Sequence, residues 1–152
     1  MKNNNTTTEL FCEFKNQKEL LENATKAYIN KFEENDIFSF KLSPEQVRKY
    51  TTDFFGFSSD LVNIQEKMSN TIFKISELLL AAYNKNDMPE IKIFDSYIRC
   101  FSNIQLYTNE FMENCSKHLK NPNTIRTELH KSAISLGKKI EALTSSYPEL
   151  DI

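Results

Sequence analysis

The sequence predicts an all-α fold: an elongated antiparallel helical bundle or coiled coil of about four helices, one of them very long. Three observations lead there. Only two glycines, Gly56 and Gly137, occur in 152 residues, so little backbone is free for positive φ, which argues against turn-rich folds and glycine-rich phosphate loops. Apolar residues recur at steps of three and four through long segments, the period of one helix face. The breaks between those segments carry cap and turn residues. The length suits a single domain.

Residues 1–8 are polar and without apolar periodicity, which predicts a disordered tail. Leu10, Phe14, Leu21, Ala24, Tyr28 and Phe32 then share one helical face, placing a first helix over 9–34. Residues 35–42 break the pattern and read as an extended connector offering Ile37, Phe38 and Phe40 for packing. Ser43-Pro44-Glu45-Gln46 is a capping box with proline at the first helical position, and Leu42 and Val47 occupy the staple positions.

The second helix, expected over 44–84, carries a seam of Val47, Tyr50, Phe54, Phe57, Leu61, Ile64, Met68, Ile72, Ile75, Leu79 and Ala82. Its steps of four, four and three between Ile64 and Ile75 insert an 11-residue unit that relaxes a left-handed supercoil. At 1.5 Å per residue this rod is on the order of 60 Å long and needs long partner helices to cover it. Asn84-Lys85-Asn86-Asp87 ends it, and Asp87-Met88-Pro89-Glu90 reads as a second capping box opening a helix over 88–120. Ile91, Phe94, Ile98, Phe101, Ile104, Phe111, Cys115 and Leu119 mark the face of that helix, with Asp95 and Arg99 as an exposed i,i+4 pair. After the turn Asn121-Pro122-Asn123-Thr124, Ile125, Leu129, Leu136, Ile140 and Leu143 define a fourth helix over 123–145. The helical domain then spans 9–146, and 147–152 form a C-terminal tail.

Nineteen Lys and Arg against 21 Asp and Glu give a net charge of −2 with no basic block, which removes the electrostatic reason to expect nucleic acid. The longest apolar run, residues 78–83, falls far short of the roughly 20 residues that cross a bilayer, so no transmembrane segment is expected. The N-terminal residues have no signal-peptide pattern, making the cytoplasm the default location. Cys12, Cys100 and Cys115 are odd in number and form no C-x-x-C. They read as buried or inert thiols.

No constellation supports catalysis, a cofactor or a metal. Cys115 and His118 have ligand spacing, but with His130 they still lack a fourth ligand. A carboxylate-bridged di-iron site would need Glu three residues before a histidine, and Cys115 and Thr127 stand there. There is no G-x-S-x-G turn, and Glu33-Glu34 and Glu110 with Glu113 read as solvated faces. A non-enzymatic protein is therefore expected. Its candidate apolar binding or oligomer face is Tyr50, Phe54, Phe55, Phe57, Leu61 and Val62, where Phe55 and Val62 widen the seam on one flank. Gly56 interrupts this cluster at a cost of about 1 kcal/mol and offers a site for close approach or a kink.

The long seam from Tyr50 through Ala82, the Asn86-Asp87-Met88-Pro89-Glu90 break and the helix from Phe94 to Leu119 together resemble a phasin, a family of non-enzymatic proteins that coat bacterial polyhydroxyalkanoate storage granules. The resemblance is one of pattern over about two-thirds of the chain, and the first helix lies outside it. It implies an amphipathic helical face adsorbed on a hydrophobic polymer, homo-oligomers, and a granule-associated pool within the cytoplasm. The alternative is a cytoplasmic helical adaptor, secretion chaperone or effector that uses the same face to bind partner helices.

Overall fold

A computed structural model describes residues 2–34, 42–147 and 150, and among them every regular element is a helix: α1 Lys2–Glu34, α2 Pro44–Asn84, α3 Met88–Ser116 and α4 Ile125–Ser146. Neighbouring helices run antiparallel. Gln17 of α1 donates to Thr71 of α2 at 2.9 Å, while Lys31 further along α1 meets Asp53 near the start of α2 at 3.8 Å. Likewise Asn114 of α3 bonds Ser132 of α4, whereas Asn103 earlier on α3 bonds Tyr147 just past the end of α4. This is up-and-down bundle topology, with α1 and α3 each packed between α2 and α4. The elements α1 and α3 meet across the centre through large rings, Phe11 stacked on Tyr97 at 4.3 Å and Phe14 edge-on to the same ring at 5.4 Å.

The seam residues named from spacing form the core: Leu10, Phe14, Leu21, Tyr28 and Phe32 from α1, Tyr50 through Ala82 from α2, Ile91 through Cys115 from α3, and Ile125 through Leu143 from α4. Spacing alone passed over Tyr97, Cys100 and Ala133, which are also buried. Because α4 reaches only as far as the level of Asn103, the far part of the bundle has three helices. There the aromatic contacts of Phe11, Phe14 and Tyr97 fill the interior that a fourth helix would otherwise occupy.

Helix starts follow their local chemistry. At Ser43 the box closes in both directions, the Gln46 amide donating to the Ser43 hydroxyl and the Ser43 amide to the Gln46 side chain at 2.8 Å. At Asp87 only half of the expected box forms: its carboxylate accepts from the Glu90 amide at 3.2 Å. A Schellman motif ends α2: Asn86 takes φ 55°, its amide bonds the Tyr83 carbonyl, and the Asp87 amide bonds that of Ala82. Asp87 thus closes one helix and caps the next, which makes the α2–α3 connection three residues long.

Several boundaries differ from expectation. The stretch read as a tail over 1–8 is helical from Lys2, because nothing before Leu10 breaks a helix and propagation from a packed turn costs little. The third helix stops at Ser116 rather than 120, and 117–120 tighten into turns as the Asn121 amide reaches back to the His118 carbonyl. The fourth begins at Ile125 because the Asn121 side chain accepts from the Asn123 amide and holds that segment in a turn. At the C-terminus Leu150 is buried and Tyr147 is bonded to Asn103, so these two residues belong to the core rather than to a tail. The connector expected over 35–42 lies outside the described residues, except for Leu42, which is buried. Gly56 admits no close neighbour: α2 runs on as helix through it, and a Cβ there would meet nothing within 4 Å.

Candidate apolar interaction face

The structure divides the six residues singled out on α2. Tyr50, Phe54, Phe57 and Leu61 are core, not face. Tyr50 stacks on Phe32 at 5.6 Å, Phe57 lies flat on Tyr28 at 4.4 Å and edge-on to Phe111 at 5.4 Å, Phe54 is 5.9 Å from Phe111, and Leu61 is fully buried. Their side of α2 is the one that α1 and α3 cover, so no external partner can use them without opening the bundle. Phe55 and Val62 lie on the outer side and remain 58% and 52% exposed.

Two further large side chains, missed from spacing alone, continue the line. Phe73 and Leu80 are 66% and 64% exposed, and at 100° per residue Phe55, Val62, Phe73 and Leu80 fall within about 20° of one another. The available signal was their spacing of 7, 11 and 7, which echoes the heptad and 11-residue steps of the buried seam. The rest of this outer face is Thr51, Thr52, Ser59, Ser69, Asn70 and Ser76 with two carboxylates, Glu66 and Glu77, one cation, Arg48, and no lysine.

At the Phe55 end the stripe runs into an open apolar groove of about 590 Å³ lined by Leu42, Pro44, Val47, Thr51, Leu119 and Pro122, with Arg48 and Lys120 at its border. The α2 cap brings Leu42 and Val47 to this groove, and the short turn after α3 brings Leu119 and Pro122. The Thr51 hydroxyl reaches the Leu119 carbonyl at 3.4 Å and the Val47 carbonyl at 2.8 Å, holding the two walls together.

The polar candidates go separate ways. Burial pushes the Cys115 thiol up to about 12, and Glu128 adds to the shift while a bond to Ser132 opposes it; burial likewise pushes Cys100 up to about 11, against the pull of Lys18. Both thiols are therefore protonated and poor nucleophiles at neutral pH. Contrary to expectation, Cys12 is exposed on α1. His118 turns away from Cys115, its Nδ1 lying 3.0 Å from the Thr124 hydroxyl and its Nε2 3.9 Å from Glu128. His130 lies flat on Phe32 at 5.1 Å. Among the described residues no three His, Cys, Asp or Glu side chains gather as a metal set. Glu110 pairs with Lys139 at 3.6 Å on the surface, and the side chains of Glu33 and Glu34 lie outside the described residues. Burial, the largest cause, also raises Tyr28 well above the usual phenol range, reinforced by Cys115 and Asp53.

Among the described residues no helix is long and apolar enough to cross a membrane. In comparisons with protein-family models, curated proteins and solved structures, none matches this chain.

Proposed function

We propose that this is a non-enzymatic, phasin-like protein that binds a hydrophobic polymer surface of the polyhydroxyalkanoate-granule type through the outer face of α2. The observation that carries the reading is the aligned, exposed stripe of Phe55, Val62, Phe73 and Leu80. Four such side chains on one line favour an extended apolar surface over a compact ligand, and at about 25 cal/mol per Å² their burial gives adsorption without any charge requirement. The Ser, Thr and Asn beside the stripe suit an uncharged polymer, since the face has no lysine row to attract anionic lipid. In this reading the bundle is an elongated antiparallel coiled coil with α2 as its rod, working in the cytoplasm and on granules.

The test is partition of purified protein onto polyhydroxybutyrate particles, with Phe55→Glu and Phe73→Glu as variants. Binding by the parent chain and at least tenfold weaker binding by both variants is the expected result. Failure of the parent chain to partition would sink the proposal. A second reading, a helical adaptor binding partner helices, is favoured by the groove beside Phe55, whose apolar walls suit the apolar side chains of a partner helix.

A further inference from the structure

We infer that in solution the α2 stripe is covered by the same stripe of a second copy, in an antiparallel two-fold pair of α2 helices. The inference does not depend on polymer binding. Its basis is that the stripe reads the same from both ends. With the two-fold placed between positions 67 and 68, Phe55 falls opposite Leu80 of the other copy, and Val62 opposite Phe73. One register thus satisfies all four large side chains at once. The order of spacings, 7 then 11 then 7, is what makes this possible.

The flanks of this register are mostly small and polar. In an antiparallel pair, residues on one flank face the same flank of the partner helix. Glu77 then faces Ser59, and the small Ser, Thr and Asn side chains allow the helices to approach; Glu66, one and a half residues from the two-fold, stands about 4.5 Å along the axis from its own copy and is the like-charge contact of this register.

The area is also sufficient. At the observed exposures the four side chains leave on the order of 450 Å² of apolar surface per copy. Pairing two stripes removes about twice that from water, and the Ser, Thr and Asn flanks over a seam of roughly 38 Å bring the total to the standard size of a specific interface. Within one chain nothing described covers these residues, so the second copy supplies the burial that the monomer leaves undone.

Cross-linking with engineered cysteines tests the register directly. Cys12, the exposed native thiol, is first replaced by Ser. In that background Ser59→Cys and Glu77→Cys, both at exposed positions, are oxidised separately and as a mixture. The expected result is a disulfide-linked dimer in the mixture and little in either variant alone, because Ser59 lies about 26 Å along the seam from its own copy. Sedimentation equilibrium should give a dimer for the parent chain, with Val62→Glu raising the dissociation constant at least tenfold at unchanged helical content. A monomer at tens of micromolar, or cross-linking as strong in the separate variants as in the mixture, overturns the inference. If the chain is monomeric yet partitions onto polymer particles, the dimer is wrong and polymer binding survives. A specific dimer with no partition gives the reverse outcome.

Discussion

Phe55 and Phe57 stand two residues apart on the same helix, and their truncations should differ sharply. Phe57 is 4% exposed and packs on two rings, flat against Tyr28 and edge-on to Phe111. Phe57→Ala opens a cavity in the middle of the four-helix part, and such changes cost about 3–5 kcal/mol. Two lost aromatic pairs, each worth about 0.5–1.5 kcal/mol, place this site toward the upper end. Phe55 is more than half exposed and touches the core side mainly through Phe54 at 5.7 Å. Full burial of such a ring is worth about 1.5–3 kcal/mol, so the buried part of Phe55 contributes about 1 kcal/mol at most. Urea unfolding followed by circular dichroism, with dimerisation suppressed by dilution, measures both. The predicted gap is at least 2 kcal/mol at equal m-values. If Phe55→Ala destabilised the chain as much as Phe57→Ala, the division of α2 into a core side and an outer side would be wrong.

Other outcomes follow from the same structure. Gly56→Ala adds a methyl where a Cβ meets nothing, in the interior of an unbroken helix, and should stabilise by about 1 kcal/mol, seen as a rise in thermal midpoint. Gly137→Ala places its Cβ 3.6 Å from Ile29 and Thr25, ordinary contact distance, so a stability gain of about 0.5–1 kcal/mol is expected where overpacking would show as a loss. Asn86→Gly relieves a positive φ and should raise the urea midpoint, while Asn86→Val should lower the midpoint through a loss of stability of more than about 1 kcal/mol. In the folded protein only Cys12 should react with a thiol reagent at pH 8, with Cys100 and Cys115 released on unfolding. Because burial raises those two thiols from 9.0 to about 11 and about 12, the folded state holds protons that the unfolded chain gives up. Stability should therefore be steady below pH 9 and fall as pH climbs from 9 toward 12, measured as urea midpoints across that range.

Much of the architecture is legible in local chemistry. Ser43, Pro44 and Gln46 announce the start of α2 because cap, proline and return bond are all set within four residues. The breaks at Asn86 and Asn121 are equally local, one through left-handed backbone and the other through a side chain bonded to the amide two residues on. Residues 2–8 escaped the reading because they carry no apolar signal of their own, and their helix propagates from Leu10. Tyr97 and Ala133 escaped because a helix packed against two neighbours buries a wider arc than the narrow seam of a two-helix contact.

The sequence by itself determined four helices, their approximate ends and most of the buried apolar residues, because the period of an α-helix converts spacing into one face. It could not say which flank of that face would be covered. Tyr50, Phe54, Phe57 and Leu61 stood both on the seam and in one candidate face with Phe55 and Val62, and only the packing of α1 and α3 against α2 separates the first four, turned inward, from the last two. Coverage depends on where neighbouring helices sit and how long they are, and neither is encoded in the spacing along one helix. The same placement left Phe73 and Leu80 outside and in line with Phe55 and Val62. The interaction face is thus what the bundle leaves uncovered, a property of the tertiary structure.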